Sequence, residues 1–282
     1  MNELQLYLQS LKTEFEYDKS QFEINISKIE SATTFYHQHS RQAFSDTHLY
    51  TVIRTSINDN YILKVELSSG NIVWVKKMVL KNAYDSNQLI KITYSNGYIY
   101  LSGVSRAKYN SSSDNDIYPF TAKLDEDGNV IFNVSYSWSN GYWAPMYGAL
   151  IYNGTLYTGG GIWASNKSCP WICKINGNTG AIATSIRTES LASSFAYSMF
   201  NVHDGSALVS IGYKYVGLLN LSSMTFSWVK NLGYNTYIMD LIYDTESNSI
   251  IFCRIYLPHN FSILFIYNEN VNSRCYTKIQ II

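Results

Sequence analysis

The side chains with the most chemical potential in this 282-residue sequence are scattered, and their spacing argues against most reactions. The five histidines are His37, His39, His48, His203 and His259. His37-Gln38-His39 could share one face of a strand, yet two imidazoles without a carboxylate or a third ligand make a poor metal site, and no metal is expected. Asp125-Glu126-Asp127 reads as a solvated turn in preference to a calcium loop. Cys169 and Cys173 flank Pro170-Trp171-Ile172; on an extended segment they stand too far apart to bridge. Together with Cys253 and Cys275 they match no usual zinc spacing, so unpaired core thiols are expected. Gly159-Gly160-Gly161 has no helix behind it and therefore lacks half of an anion site. Asp240 is the one conspicuous carboxylate at the start of an inner strand, and a single carboxylate is not an acid/base pair. No catalytic residue is assigned.

What remains is aromatic. Trp138, Tyr142, Trp143, Trp163 and Trp171 read as lying in loops or at strand starts, with Gly159 to Trp163 opening a loop that ends at Cys169-Pro170-Trp171. Clustered aromatic rings can stack on sugars or anchor a protein partner; the competing reading is that they plug seams between sheets. Asn-x-Ser/Thr triplets begin at Asn25, Asn110, Asn133, Asn153, Asn166, Asn220 and Asn260 and are glycosylation candidates. They favour an extracellular or secretory setting, although a chain this rich in Asn, Ser and Thr also produces such triplets by chance.

The elements that must position these residues are repeats. Lys64 to Val75 reads K-V-E-L-S-S-G-N-I-V-W-V: a strand, a tight turn at Ser68-Ser69-Gly70, and a second strand carrying Trp74. Copies follow at Ala122 to Phe132, Lys174 to Ile182 and Leu219 to Trp228, with weaker ones at Phe15 to Ile24 and Phe265 to Val271. Their turn positions are 20, 70, 128, 180, 224 and 270. Glycine takes positive φ without steric cost and suits such reversals; Met224, a bulky residue at the turn position, is expected to need a different turn type. Upstream of each good copy lies another strand pair, the clearest being Leu89 to Tyr94 and Tyr98 to Gly103 around Asn96-Gly97, a strong hairpin signal. Each repeat thus holds four strands. A period of roughly 40 to 60 residues in a strand-rich chain marks a propeller or another closed array.

K-V-E-L-S-S-G-N-I-V-W, with the upstream N-G-Y-I-Y-L-S-G, resembles the repeat of quinoprotein-like, PQQ-type β-propellers. There an acidic residue, a turn and a docking tryptophan four residues on mark the outer hairpin of each blade. It is similar in form to the repeats of outer-membrane-assembly propeller lipoproteins. Trp74 and Trp228 keep the docking position, Phe132 substitutes, and Thr184 and Ile24 depart. The resemblance implies an all-β propeller. Quinoprotein dehydrogenases also carry a vicinal disulfide over the cofactor, and no Cys-Cys pair exists here, so no cofactor is expected.

The expected architecture is therefore an all-β propeller of about six four-stranded antiparallel blades in one domain, with units near 1–30, 31–85, 86–140, 141–190, 191–233 and 234–282. Residues 1–29 also carry helical spacing, but alignment of Glu16 to Ser27 with Leu124 to Ser135 favours strands. Too few residues precede that hairpin for two strands. The first blade is thus expected to be incomplete, either three-stranded or continued from a longer polypeptide. Thr33 to Tyr36 is assigned the inner strand of the second blade, and Ala107 to Asp116 a polar insertion. Charged residues make up 15% of the chain and aromatics another 15%, with formal net charge zero and pI ≈ 6.9. That balance excludes a general attraction to nucleic acid or anionic membrane. No apolar run of about 18 residues is present to span a bilayer, and Met1 to Ser10 lacks the pattern of a secretory signal. The expected function is a non-enzymatic interaction or scaffold module with a protein or glycan partner, as a subunit of a larger surface assembly. The alternative is a quinoprotein-like oxidoreductase or a glycan-active hydrolase.

Overall fold

The computed structural model describes residues 42–54, 60–78, 84–106, 117–136, 146–164, 167–188, 191, 196–203, 205–211, 215–231, 237–244, 249–256, 261–268 and 279–280. Within them twenty strands form five four-stranded antiparallel sheets, each taken in chain order. The first sheet holds β1 (Gln42–Phe44), β2 (His48–Arg54), β3 (Asn60–Glu66) and β4 (Ile72–Met78). The second holds β5 (Tyr84–Ser95), β6 (Tyr98–Arg106), β7 (Ile117–Asp125) and β8 (Val130–Ser135). The third holds β9 (Met146–Tyr152), β10 (Thr155–Ala164), β11 (Lys167–Ile175) and β12 (Ile182–Arg187). β13 (Ala196–His203), β14 (Ser206–Ile211), β15 (Tyr215–Asn220) and β16 (Thr225–Asn231) make the fourth. β17 (Tyr237–Asp244), β18 (Ser249–Tyr256), β19 (Phe261–Asn268) and β20 (Ile279–Gln280) make the fifth. The chain divides into two compact units, Met1–Ser137 with the first two sheets and Trp138–Ile282 with the other three.

The strands form where the sequence alternates or runs apolar, and they reverse where it supplies residues that accept positive φ. Asn96-Gly97 (φ 50° and 79°) and Asn153-Gly154 (φ 48° and 69°) close two-residue hairpins whose turn twist matches that of the flanking strands. In the outer hairpins the residue that opens the turn ties it down with its side chain. Asp125 accepts the Asp127 and Asn129 N–H groups at 3.0 and 2.8 Å, and Asn176 and Asn220 each accept two backbone N–H groups in the same way. The first and third turns of a sheet lie at one end of it, as backbone bonds from Leu67 N–H to Thr47 O (2.9 Å) and from Leu221 N–H to Gly205 O (2.8 Å) show.

Register exposes the repeat more sharply than the turns do. One row of cross-strand neighbours reads Ala43–Tyr50–Lys64–Trp74 in the first sheet and Thr93–Tyr100–Lys123–Phe132 in the second. The same row reads Leu150–Tyr157–Lys174–Thr184 in the third, Phe200–Leu208–Leu218–Trp228 in the fourth, and begins Ile242–Ile251–Ile266 in the fifth. In the first four sheets the ladder slips immediately after the third member of that row, between Lys64 and Val65, Lys123 and Leu124, Lys174 and Ile175, and Leu218 and Leu219. A bulge at one position in each of these four copies is a built feature of the unit.

Three expectations are corrected. The first strand opposite β2 is Gln42–Phe44; Thr33 to Tyr36 lies outside the described residues, as do the 1–30 unit and the 107–116 insertion. Met224 takes φ 54°, the left-handed conformation of Gly70 (69°), Gly128 (75°) and Gly180 (74°). Its side chain is 2% exposed in a cluster with Leu150, Tyr157 and Leu221, and that burial offsets the strain. Finally, Gly159-Gly160-Gly161 is no loop opening. All three glycines are buried inside β10, paired with β11 through Ala164 and Lys167.

Candidate interaction surface

The first and second sheets, and the third and fourth, are joined through the register row. Trp74 Nε1 donates to the carbonyl of Glu126 in the β7–β8 turn at 3.0 Å, and Lys64 Nζ reaches the same oxygen at 3.2 Å. Gly128 lies beneath the indole: a Cβ there would stand 3.2 Å from the ring and 3.1 Å from Lys76, so both its φ of 75° and the close approach demand glycine. Tyr50 stacks on Tyr94 with ring centroids 5.1 Å apart, and the Tyr94 hydroxyl donates to the Glu126 carboxylate. Asn60, 2% exposed, accepts the Leu89 N–H at 3.2 Å and ties β3 to β5. Burial, then Glu126, push the Tyr50 phenol up to about 12.

In the second unit the third sheet has Thr184 where the first has Trp74, and Tyr157 from the same row takes over. Its hydroxyl donates to the carbonyl of Leu221 at 3.2 Å. Leu221 and Glu126 occupy one position in the repeat, the residue after the turn-opening Asn220 or Asp125. Lysines of the row lie over its tyrosines, Lys64 Nζ 5.7 Å from the Tyr50 centroid, Lys123 5.4 Å from Tyr100 and Lys174 5.9 Å from Tyr157. Such contacts add roughly 0.5–2 kcal/mol apiece, depending on desolvation. Lys123 also sits 3.9 Å above Tyr98, and burial lowers its pKa.

The aromatic candidates divide. Trp138, Tyr142 and Trp143 lie outside the described residues. Trp163 is the penultimate residue of β10, and Trp171 is in the middle of β11, both in strands and not in a loop. Trp171 is 3% exposed, in a row that reads Met146–Gly160–Trp171–Arg187. Glycine inside a strand leaves a site where a neighbouring group approaches closely. The ring is therefore part of the sheet's packing and offers no stacking face. β9 begins at Met146 at the end of the third sheet where β10 finishes at Ala164.

Of the sequon asparagines, Asn153 is exposed in its turn, while Asn133 on β8 and Asn220 at the end of β15 are half-buried; Asn25, Asn110, Asn166 and Asn260 lie outside the described residues. Cys169 and Cys173 are buried thiols, and burial pushes the Cys173 thiol well up. Among the described residues no three His, Cys, Asp or Glu side chains are grouped to hold a metal, and no helix is long and apolar enough to cross a membrane.

Four-stranded antiparallel sheets in chain order, with one repeated carbonyl position tying the first to the second and the third to the fourth, define the fold class as all-β, of the β-propeller kind. Solved structures agree. The Neurospora crassa Pan2 WD40 domain matches with a TM-score of 0.53 and 11% identity, over 88% of this chain and 66% of that one. The Dos1 propeller matches at 0.51 and 10%, over 85% and 58%. A Synechocystis apocarotenoid oxygenase matches at 0.52 and 10%, over 86% and 61%. At such identities the likeness is one of fold alone. No protein-family model and no curated protein matches the sequence.

Proposed function

We propose that the protein is a non-enzymatic propeller interaction module that binds an uncharged partner, a glycan or a neutral protein surface. Its contact residues are Trp138, Tyr142, Trp143 and Trp163, with Trp171 as support. The observation that carries this reading is electrostatic. From Val130 to Asn166 the chain contains no Asp, Glu, Lys, Arg or His, and this run holds all four contact aromatics. In a chain that is 15% charged overall, so long a neutral run surrounds the candidates with tyrosine, tryptophan, serine, asparagine and glycine. That composition recognises ligands by stacking and adaptable hydrogen bonds, with no ion pairing.

The setting that fits is extracellular or secretory, the module being one piece of a surface assembly. The exposed Asn153 is the sequon best placed for a glycan. The kinship with PQQ-type propellers is read as one of repeat and not of cofactor. Retention of the full-length protein on immobilised neutral polysaccharides, compared with Trp143→Ala and Trp163→Ala, tests the reading. Retention lost in both variants at unchanged melting temperature supports it; equal retention of all three proteins overturns the assignment of these rings.

A further inference from the structure

Outer strands leave a backbone edge open to pairing, and natural proteins guard such edges with charge, above all lysine. β4 carries Lys76 and Lys77, β12 carries Arg187, and β16 carries Lys230. β8, V-I-F-N-V-S, carries no charge at all. It is the last strand of its sheet, and its first two side chains, Val130 and Ile131, are 53% and 45% exposed. Tyr136 N–H donates back to Pro119 O at 2.8 Å, so the alternation of an antiparallel ladder turns the N–H and C=O of Ser135 away from β7. Among the described residues the acidic side chains beside this edge stand at its start, where Lys76 of the first sheet also acts on Asp125. Asp127 is exposed in the preceding turn, and the Asn129 side chain and N–H hold the Asp125 carboxyl below its usual range.

We propose that β8 is a docking edge for strand addition by a separate partner: an extended, apolar peptide segment that ends in basic residues lying beside Asp125 and Asp127. In antiparallel addition those residues stand at the C-terminal end of the incoming strand. Backbone pairing along the edge supplies affinity, Val130 and Ile131 receive the apolar side chains, and the acidic turn fixes direction. The residues are not those of the aromatic end of the third sheet, so either site can fail alone.

The test is isothermal titration of the full-length protein with the peptide I-V-W-V-K-K-M, which copies Ile72–Met78 and has the required order. Saturable binding is expected, weakened about tenfold or more by Ile131→Lys in the protein or by glutamates replacing both lysines of the peptide. Ile131→Thr, branched and neutral, should bind within a few-fold of wild type, and both variants should melt with it because the side chain is exposed. Absence of saturable binding, or equal binding by Ile131→Lys, overturns the proposal. So does concentration-dependent self-association abolished by Ile131→Lys, which would make a second copy the occupant.

Discussion

Met224 offers the sharpest test of how the repeat tolerates variation. In the first seam Trp74 lies over Gly128. In the seam between the third and fourth sheets Thr184 replaces the tryptophan, and Met224, at φ 54°, replaces the glycine. The methionine side chain is clustered with Leu150, Tyr157 and Ile172 at 2% exposure. Met224→Ala keeps the left-handed strain and loses the packing, which should destabilise by about 2–5 kcal/mol. Met224→Gly loses the same packing but relieves about 1–2 kcal/mol of strain. Glycine should therefore be the more stable of the two by roughly 1 kcal/mol, a reversal of the usual order. Each kcal/mol corresponds to about 2–4 °C in melting temperature for a unit of this size, readable by calorimetry or urea denaturation. Adding Thr184→Trp to Met224→Gly should recover part of the loss, whereas Thr184→Trp alone should destabilise by overpacking. An alanine variant as stable as the glycine variant would refute the strain argument, and additive effects at 184 and 224 would refute the exchange of partners.

Trp74→Phe should cost roughly 1 kcal/mol, because Lys64 still satisfies the Glu126 carbonyl, and Tyr157→Phe, which strips Leu221 O of its tyrosine donor, about 1–2 kcal/mol; urea midpoints at constant slope check both. The Tyr50 phenol is pushed up to about 12 in the folded state against about 10 in the unfolded chain. Above pH about 10 the folded protein therefore holds more protons than the unfolded one. The contribution is complete below that pH and is lost as pH rises toward about 12. Tyr50→Phe should flatten this alkaline decline in melting temperature, and an unchanged slope would count against it. Cys173 should resist aromatic disulfide reagents at pH about 8 until denaturant is added, as peptide mapping would show.

The fold was legible wherever local chemistry carried it. Gly70, Gly128 and Gly180 mark the outer turns, Asn96-Gly97 and Asn153-Gly154 mark hairpins, and alternation between them gives strands. Trp74 was recognisable as a docking residue because its distance from the turn is fixed by the bulge that follows Lys64. Errors arose where tertiary packing overrides a local signal. Gly159-Gly160-Gly161 reads as a loop, yet all three glycines are buried in β10 and paired with β11. Met224 reads as incompatible with a left-handed turn, yet burial in the next seam compensates it. The Tyr–Lys row was readable but missed: Lys64, Lys123 and Lys174 each stand two residues before the turn-opening residue, and a tyrosine pairs with each. Neutrality from Val130 to Asn166 was equally visible, but its meaning depends on knowing which strands and which connection it covers.

The most direct measurement of the functional claim is ligand binding across ionic strength. Wild-type protein titrated with a panel of neutral oligosaccharides, and with acidic and basic polymers as comparisons, should bind a neutral member with an affinity unchanged between low and high salt, since no counterions are displaced. Trp143→Ala combined with Trp163→Ala should abolish that binding. Failure of every neutral ligand, together with tight, steeply salt-dependent binding of a charged polymer, would contradict the claim.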